Sequence, residues 1–341
     1  MSADGAYDTE LVVATVREVL AGHPPLTLTP DRRWDAGLWA ELTEAGLTGV
    51  GLPEEAGGSG GELADAVAVV ATLAAGAGAV PVAEQLLVAG PTVLAAGLEL
   101  PPVDEPLTVG VSGALRVEDG RVSGTATDVA WAGAARHLVV PAEGPDGEVL
   151  ALVDVGDLPA TDAVNLAGEP RGSYVLDGAP ARIGPVGELR ARYALARAVQ
   201  LSAAAETVLA WTVQYAGERV QFGRPLAKFQ GIQVQLAQMA GEVTAVAALV
   251  DAAVQRLERG EPLELAAAAA KVRAGAAVDV VARLAHQVHG AIGFTQEHRL
   301  YHLTTRMWSW RDEAGNETTW ARVLGAAVAG DDPWPALVGV L

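Results

Sequence analysis

The segment that most constrains the fold lies in the second half of the chain and reads Arg219-Val220-Gln221-Phe222-Gly223-Arg224-Pro225-Leu226-Ala227-Lys228-Phe229-Gln230. It combines a guanidinium with fixed donors at Arg219, an uncovered backbone at Gly223 and a side-chain amide at Gln230. Such groups suit a pyrophosphate and its neighbouring ribose. A simpler interpretation is that Arg219 and Arg224 cap the C-termini of helices.

Long helical patterns flank this segment. Downstream of it, apolar residues recur every three or four positions at Ile232, Leu236, Met239, Val243, Val246, Val250, Val254 and Leu257. Gly260 is a natural helix end, and Pro262 can open the next helix near its first turn. Together with helices predicted over 189–216 and 263–289, this pattern indicates an antiparallel helical bundle.

The part of the chain before this segment divides into two regions with different sequence patterns. In residues 1–104, short helical patterns are separated by breaks that contain glycine and proline. The recurrence of Trp34, Leu38 and Leu42 at helical spacing predicts a helix that ends at Gly46. Residues 105–186 contain short β-prone runs at 108–111, 121–127, 137–140, 149–155 and 174–176, which predict a small antiparallel β domain. The expected fold is therefore α+β and mainly α, with the helical bundle over 187–341.

A second segment with glycines follows the third bundle helix, about 70 residues after the first, and reads Gln287-Val288-His289-Gly290-Ala291-Ile292-Gly293-Phe294-Thr295. Its glycines let a ligand approach the backbone closely. A Gly-x-x-Gly turn alone is weak evidence, and a histidine such as His289 is more often buried and hydrogen-bonded than a ligand.

Composition excludes several classes of function. The chain has 42 acidic and 23 basic residues and a formal charge of -19, so its overall field disfavours nucleic acids and anionic lipid surfaces. With no cysteine, it has no disulfide, thiolate metal site or cysteine nucleophile, which fits the cytoplasm. The uncharged stretch over 66–83 is broken by Pro81, so we expect no membrane span.

Both segments are similar to signatures of the acyl-CoA dehydrogenases, the first one closely. The N-terminal region resembles the same family through Leu38-Trp39-Ala40-Glu41-Leu42-Thr43-Glu44-Ala45-Gly46-Leu47 and the loop Leu52-Pro53-Glu54-Glu55 with Gly57-Gly58. The resemblance covers nearly the whole chain. It implies an N-terminal helical domain, a middle β domain and a C-terminal four-helix bundle.

The resemblance also implies a chemistry: FAD-dependent conversion of an acyl-CoA thioester to trans-2-enoyl-CoA, with an electron-transferring flavoprotein as acceptor. In that family the first segment reaches across a subunit interface to the adenosine and pyrophosphate part of a neighbour's FAD, which implies an oligomer. The cofactor-binding residues carried over are Arg219, Phe222, Gly223, Gln230, Gln287, His289, Gly290 and Ala291.

The reaction needs a carboxylate to remove the proton next to the thioester. Counting along the family's two patterns lands on Ala314 or Gly315 and on Tyr193, so Glu313 is reached only by a shift of one or two residues. Glu313 is the best candidate base. The alternative for Asp312, Glu313 and Glu317 is a solvated loop or the cap of a final helix near Thr318.

The β region departs from the family, which carries flavin-packing segments there. Asp128-Val129-Ala130-Trp131-Ala132-Gly133 offers only Trp131, which could stack on a flavin but is more typical of a core or rim residue. Three hypotheses follow: a heteromer whose partner supplies the base, a homo-oligomer that uses Glu313, and a flavin-free acyl-CoA-binding or scaffold paralogue.

Overall fold

The structure is a computed structural model that describes residues 9–29 and 31–329. Its contacts divide the chain into two compact units. Unit 1 contains the described residues up to Leu73 together with Gly78–Ala196, and unit 2 contains Ala74–Ala77 and the described residues from Arg197 onward.

The helices of unit 1 come first in the chain: α1 (Thr9–Gly22), α2 (Ala36–Glu44), α3 (Leu63–Ala75), a π-helical stretch (Glu84–Ala89) and α4 (Gly90–Ala95). α2 confirms the predicted helix at Leu38 and Leu42, both of which are buried, whereas Trp34 lies before its first residue. It begins after Asp35, whose side chain accepts a hydrogen bond from the backbone N–H of Leu38.

Six strands complete unit 1: β1 (Leu107–Val109), β2 (Ser112–Glu118), β3 (Arg121–Ala130), β4 (His137–Gly144), β5 (Gly147–Asp154) and β6 (Arg171–Pro185). Their order is β1-β4-β2-β3-β6-β5, and β4 also pairs with β5, so the sheet closes on itself. The prediction of a purely antiparallel region is wrong in one respect, since β1 and β2 both run parallel to β4. The β2–β4 seam is held by a single bridge, Arg116 to Glu143.

Unit 2 is helical. The helix α5 (Leu189–Glu218) belongs to unit 2 from Arg197 onward. After it come the short strands β7 (Val220–Gln221) and β8 (Arg224–Pro225), followed by α6 (Gln230–Glu258), α7 (Glu264–His289), α8 (Arg299–Asp312) and α9 (Glu317–Ala327). α6 buries Met239, Val243, Val246, Val250 and Val254, as its period predicted. Beyond its C-cap lies Gly260, which has a φ of +66°.

One helix in the described part of the chain, α6, has the length and apolar composition of a bilayer-crossing segment. Core helices of globular proteins have the same properties, and α6 packs along α7. The stretch over 66–83 that composition singled out belongs instead to α3 and the turn after it.

Candidate functional site

The segment after α5 is a hairpin with a strained tip. β7 and β8 pair Gln221 with Arg224, which leaves Phe222 and Gly223 as a two-residue turn. Both residues have positive φ, +51° and +78°, as a type I′ hairpin turn requires. Phe222 is 92% exposed.

The predicted binding residues of this segment, Arg219, Phe222, Gly223 and Gln230, are all exposed within the single chain. The backbone of Arg219 is used internally, because its N–H donates to the Tyr215 carbonyl and its own carbonyl accepts from Leu226. Its guanidinium has no ion-pair partner among the described residues. Arg224, in contrast, lies over the Phe229 ring at 4.1 Å. The hairpin therefore presents its donors outward.

The second segment is a tight turn at the C-terminal end of α7. Gly290 has φ +66° and ψ -149°, a conformation open almost only to glycine. A Cβ at Gly293 would lie 3.0 Å from both the His289 Cβ and a methyl group of Leu300. Gln287, Gly290 and Ala291 are exposed.

His289 is placed differently from the other predicted binding residues. Its side chain is 5% exposed, and its Nδ1 lies 2.8 Å from the Ala285 carbonyl. Its ring stacks on Tyr215 at 4.5 Å, and burial lowers its pKa. Because Tyr215 lies four residues before Arg219, this stack brings the two predicted segments to the same end of unit 2.

A groove of about 500 Å³ lies beside the glycine turn. Its lining residues are Ala282, Arg283, His286, Gln287, Gly290, Ala291, Phe294 and Trp308. Sequence reasoning found Gln287, Gly290 and Ala291 but missed Arg283, His286 and Trp308. Arg283 could have been predicted from the sequence, because Arg283 precedes Gln287 by four residues and therefore lies on the same face of the helix.

The surroundings of His286 in this groove favour its neutral form. Its Nε2 lies 3.0 Å from the Thr304 hydroxyl, which itself donates to the Leu300 carbonyl, so Nε2 carries the proton. Its Nδ1 is buried and has no hydrogen-bond partner among the described residues. Burial and the nearby His289 and His298 lower the pKa of His286.

Glu313 lies elsewhere in unit 2, immediately after α8. Its Oε2 is 2.9 Å from Nε of Arg197, and the two side chains are 14% and 1% exposed. The solvated-loop interpretation of Glu313 is therefore wrong. The alternative that Glu313 caps the final helix is wrong as well. The side chain that caps this helix, α9, is that of Asn316, which accepts a hydrogen bond from the backbone N–H of Thr319.

A buried lysine fixes the loop that carries Glu313. Lys271 donates from Nζ to the carbonyls of Arg311 at 2.5 Å and Gly315 at 2.8 Å. Burial lowers its pKa from 10.5 to about 8, while the carboxylates of Glu317, Glu313 and Asp312 act in the opposite direction. Glu313 thus lies near two buried cations, Arg197 and Lys271.

The candidate base is distant from the two predicted binding segments. Arg197, its partner, precedes Tyr215 by 18 positions on α5, which corresponds to about 27 Å along a helix. Tyr193, the other position reached by counting, lies one turn before Arg197 and is 4% exposed. Both candidate base positions are therefore near the start of α5.

Trp131 belongs to the core of unit 1. It is 3% exposed, has a φ of +57° and packs with Ala79, Ala130 and Trp34. Its indole N–H is buried without a partner in the described part of the chain. A ring enclosed in this way offers no open face to a flavin.

Comparisons with known proteins agree with this geometry. The model of the acyl-CoA dehydrogenase C-terminal domain matches residues 191–328, and that of the N-terminal domain matches residues 7–99. The acyl-CoA dehydrogenase IpdE2 of Mycolicibacterium smegmatis is 30% identical over 300 residues, or 85% of this chain and 89% of the relative. FadE27, an acyl-CoA dehydrogenase of Mycobacterium tuberculosis, is 29% identical over 80% of this chain and 82% of its own length.

Solved structures share the whole fold. The Tcur3481-Tcur3483 steroid ACAD matches with a TM-score of 0.86 and 27% identity, covering 94% of this chain and 98% of that chain. The ChsE4-ChsE5 complex from Mycobacterium tuberculosis matches in fold with a TM-score of 0.85, 24% identity and coverage of 96% and 99%. With family models at both ends and a relative aligned over most of its length, the chain belongs to the acyl-CoA dehydrogenase family of flavoprotein oxidoreductases.

Proposed function

We propose that this chain is one subunit of a heteromeric, FAD-dependent acyl-CoA dehydrogenase, in which it completes the adenosine half of a partner's FAD site while the partner supplies the base. The reaction would oxidise an acyl-CoA thioester to trans-2-enoyl-CoA. Bound FAD would supply hydride acceptance. A bulky thioester such as a steroid fragment, an electron-transferring flavoprotein as acceptor and a cytoplasmic location are parts of the same proposal.

The observation that carries the proposal is the ion pair between Arg197 and Glu313. A base in this reaction must take up a proton, and a buried guanidinium 2.9 Å away opposes protonation of the carboxylate. Breaking a buried pair also leaves an uncompensated charge, which is costly. Glu313 is therefore better suited to holding the fold than to removing a substrate proton.

The exposed groups support the cofactor half of the proposal. The donors of Arg219 and Gln230 face outward, as a segment that serves a neighbouring chain requires. The backbone at Gly223 and Gly290 is uncovered, since a Cβ at either position would meet nothing within 4 Å. These residues fit a dinucleotide's phosphates and ribose. The enclosed ring of Trp131 argues that the isoalloxazine ring belongs with the partner's residues.

Similar chains occur in structures named for two different chains, ChsE4-ChsE5 and Tcur3481-Tcur3483. We extend this arrangement to the present chain as part of the proposal. Two alternatives stay open: a homo-oligomer that uses Glu313, favoured by its place one or two residues from the expected glutamate, and a flavin-free paralogue, favoured by the burial of Trp131.

The test is co-expression of the chain with any acyl-CoA dehydrogenase gene that neighbours its own, followed by measurement of bound flavin and of acyl-CoA-dependent dye reduction. In the assembled protein we expect Glu313→Gln to keep turnover within about twofold while lowering the free energy of unfolding by about 3 kcal/mol. Asp312→Asn, at the exposed neighbouring acid, is the matched control and should change neither quantity.

Loss of turnover in Glu313→Gln with flavin retained would contradict the heteromer proposal and favour the homo-oligomer. A colourless protein, alone and with every co-expressed partner, would instead favour the flavin-free paralogue.

A further inference from the structure

In unit 1, the residue that follows α1 lies between two carboxylates. His23 comes directly after the last residue of this helix, and its backbone N–H donates to the Leu20 carbonyl. The Nδ1 of its ring lies 3.3 Å from Oδ2 of Asp35, and its Nε2 lies 2.9 Å from Oε1 of Glu41. The side chain of His23 is 13% exposed. These three side chains, here called the His23 bridge, connect the end of α1 to α2.

The α2 side of the His23 bridge is fixed at Asp35. This residue is 4% exposed, and its Oδ1 accepts a hydrogen bond from the backbone N–H of Leu38 at the start of α2. Its backbone N–H donates to the Ala79 carbonyl. Glu41, in contrast, lies within α2 and is 55% exposed. One contact of His23 is therefore to a buried, immobilised carboxylate and the other to a surface carboxylate.

A glycine of α2 leaves space for the imidazole ring. A Cβ at Gly37 would lie 3.2 Å from Cε1 of His23 and 3.5 Å from Oδ1 of Asp35. Glycine has a low helix propensity, yet Gly37 is the second residue of α2. The close approach of the ring is a physical reason for a residue without a side chain at this position.

The geometry of the His23 bridge favours the charged ring. Both nitrogens face carboxylate oxygens, and only the imidazolium has a proton for each of them. A neutral ring would donate to one carboxylate and turn a lone pair toward the other. The hydrogen bond to Glu41 and the charges of Asp35 and Glu41 raise the pKa of His23 above its ordinary value of 6.5, against the effect of burial. In the described part of the chain, these two carboxylates are the charged groups that shift this pKa.

We propose that the His23 bridge is a pH-sensitive contact that holds α1 against α2 while the imidazole is protonated and weakens when the proton is lost. The folded protein binds this proton more tightly than the unfolded chain. The stabilisation is therefore complete below the ordinary pKa of 6.5 and is lost as the pH rises through the raised pKa of the folded state. Above that range α1 opens locally more often.

Trypsin digestion of the full-length chain measures this opening. Arg17 lies inside α1, so the bond that follows it is cleaved only when the helix opens. Release of the fragment 1–17 is followed by mass spectrometry at about pH 6 and about pH 9, on either side of the titration of His23. Dividing each variant's rate by the wild-type rate at the same pH removes the pH dependence of trypsin itself.

We expect His23→Gln to release the fragment about fivefold faster than the wild type at the lower pH, the effect of losing a weak ion pair, and equally fast at the higher pH. Glu41→Gln should give part of the same increase, because Asp35 still faces the ring. Glu44→Gln, at an exposed acid of α2, is the matched control and should follow the wild type at both pH values.

A ratio of His23→Gln to wild type that is the same at the two pH values would overturn the proposal. An equal increase in Glu44→Gln would assign the effect to the net charge of α2 and would overturn it as well.

Discussion

Phe222 has a left-handed backbone conformation, which few residues other than glycine adopt. A left-handed φ costs an L-residue about 1–2 kcal/mol, and Phe222 has a φ of +51°. Packing of the ring within the chain offsets little of this free-energy cost, since Phe222 is 92% exposed and contacts Phe229 only edge-on, with ring centroids 6.2 Å apart. A large apolar ring held outward at such a cost is suited to contact with another chain.

Replacing Phe222 with Asn separates folding from assembly. Asn-Gly is a favoured pair for this turn, so we expect Phe222→Asn to raise the free energy of unfolding by about 1 kcal/mol. The same change should weaken subunit association. Denaturant unfolding and analytical ultracentrifugation measure the two effects. Gly223→Ala is the control, with lower stability from its positive φ; stronger association of Phe222→Asn would contradict the interface role.

Lys271 gives the stability of the protein a defined pH dependence. Its pKa is about 8 when folded against 10.5 in its ordinary state, so between these values the unfolded chain binds more protons. The Lys271 contribution to the unfolding free energy therefore increases with pH from about 8 to 10.5, by on the order of 3 kcal/mol. Urea unfolding across this range should show the increase in wild type and lack it in Lys271→Met. Identical dependence of stability on pH in the wild type and in Lys271→Met would contradict the role of Lys271.

At the scale of elements, the glycine turn after α7 is fixed by close packing. A Cβ at Gly293 would meet His289 and Leu300 at 3.0 Å. We expect Gly293→Ala to destabilise the protein by about 1–3 kcal/mol, as overpacking does, and to reduce flavin retention in the assembled enzyme. Calorimetric melting and flavin absorbance test this.

Gly241→Ala is the matched control for Gly293→Ala. Gly241 lies in α6 with nothing within 4 Å of an added Cβ, so alanine should stabilise the helix by up to about 1 kcal/mol. Equal melting temperatures for the two variants would show that the turn tolerates a side chain.

The helices of unit 2 were predictable from sequence, whereas two strands of unit 1 were not. α6 and α7 bury a regular apolar face, and Gly260 marks the break between them. β2 was missed because its Ser112-Gly113-Ala114 start has low β propensity. β6 was predicted only over 174–176, because Gly178 and Pro180 interrupt it and its pairing with β3 and β5 depends on the tertiary fold.

For the whole molecule, the sequence located the two predicted binding segments but not the residues that surround them. Their residue types could be read directly, whereas Trp308 and the Arg197 partner of Glu313 come from other helices and are brought in only by folding. The division into three domains at residues 104 and 186 stays a prediction. In unit 2, large apolar side chains are exposed at Val213, Val220, Phe222, Val234, Ile292 and Phe294. That surface accords with a chain that functions in an assembly.

The pairing of Arg197 with Glu313 has a consequence for how related sequences are interpreted. A carboxylate beside a guanidinium that is 1% exposed compensates its buried charge, whatever the chemistry of the protein. Selection for folding alone would therefore preserve an acid at this position in subunits that have lost turnover. On the proposed function an acid there serves as a structural counter-charge, so its presence in a related sequence is not by itself proof of turnover.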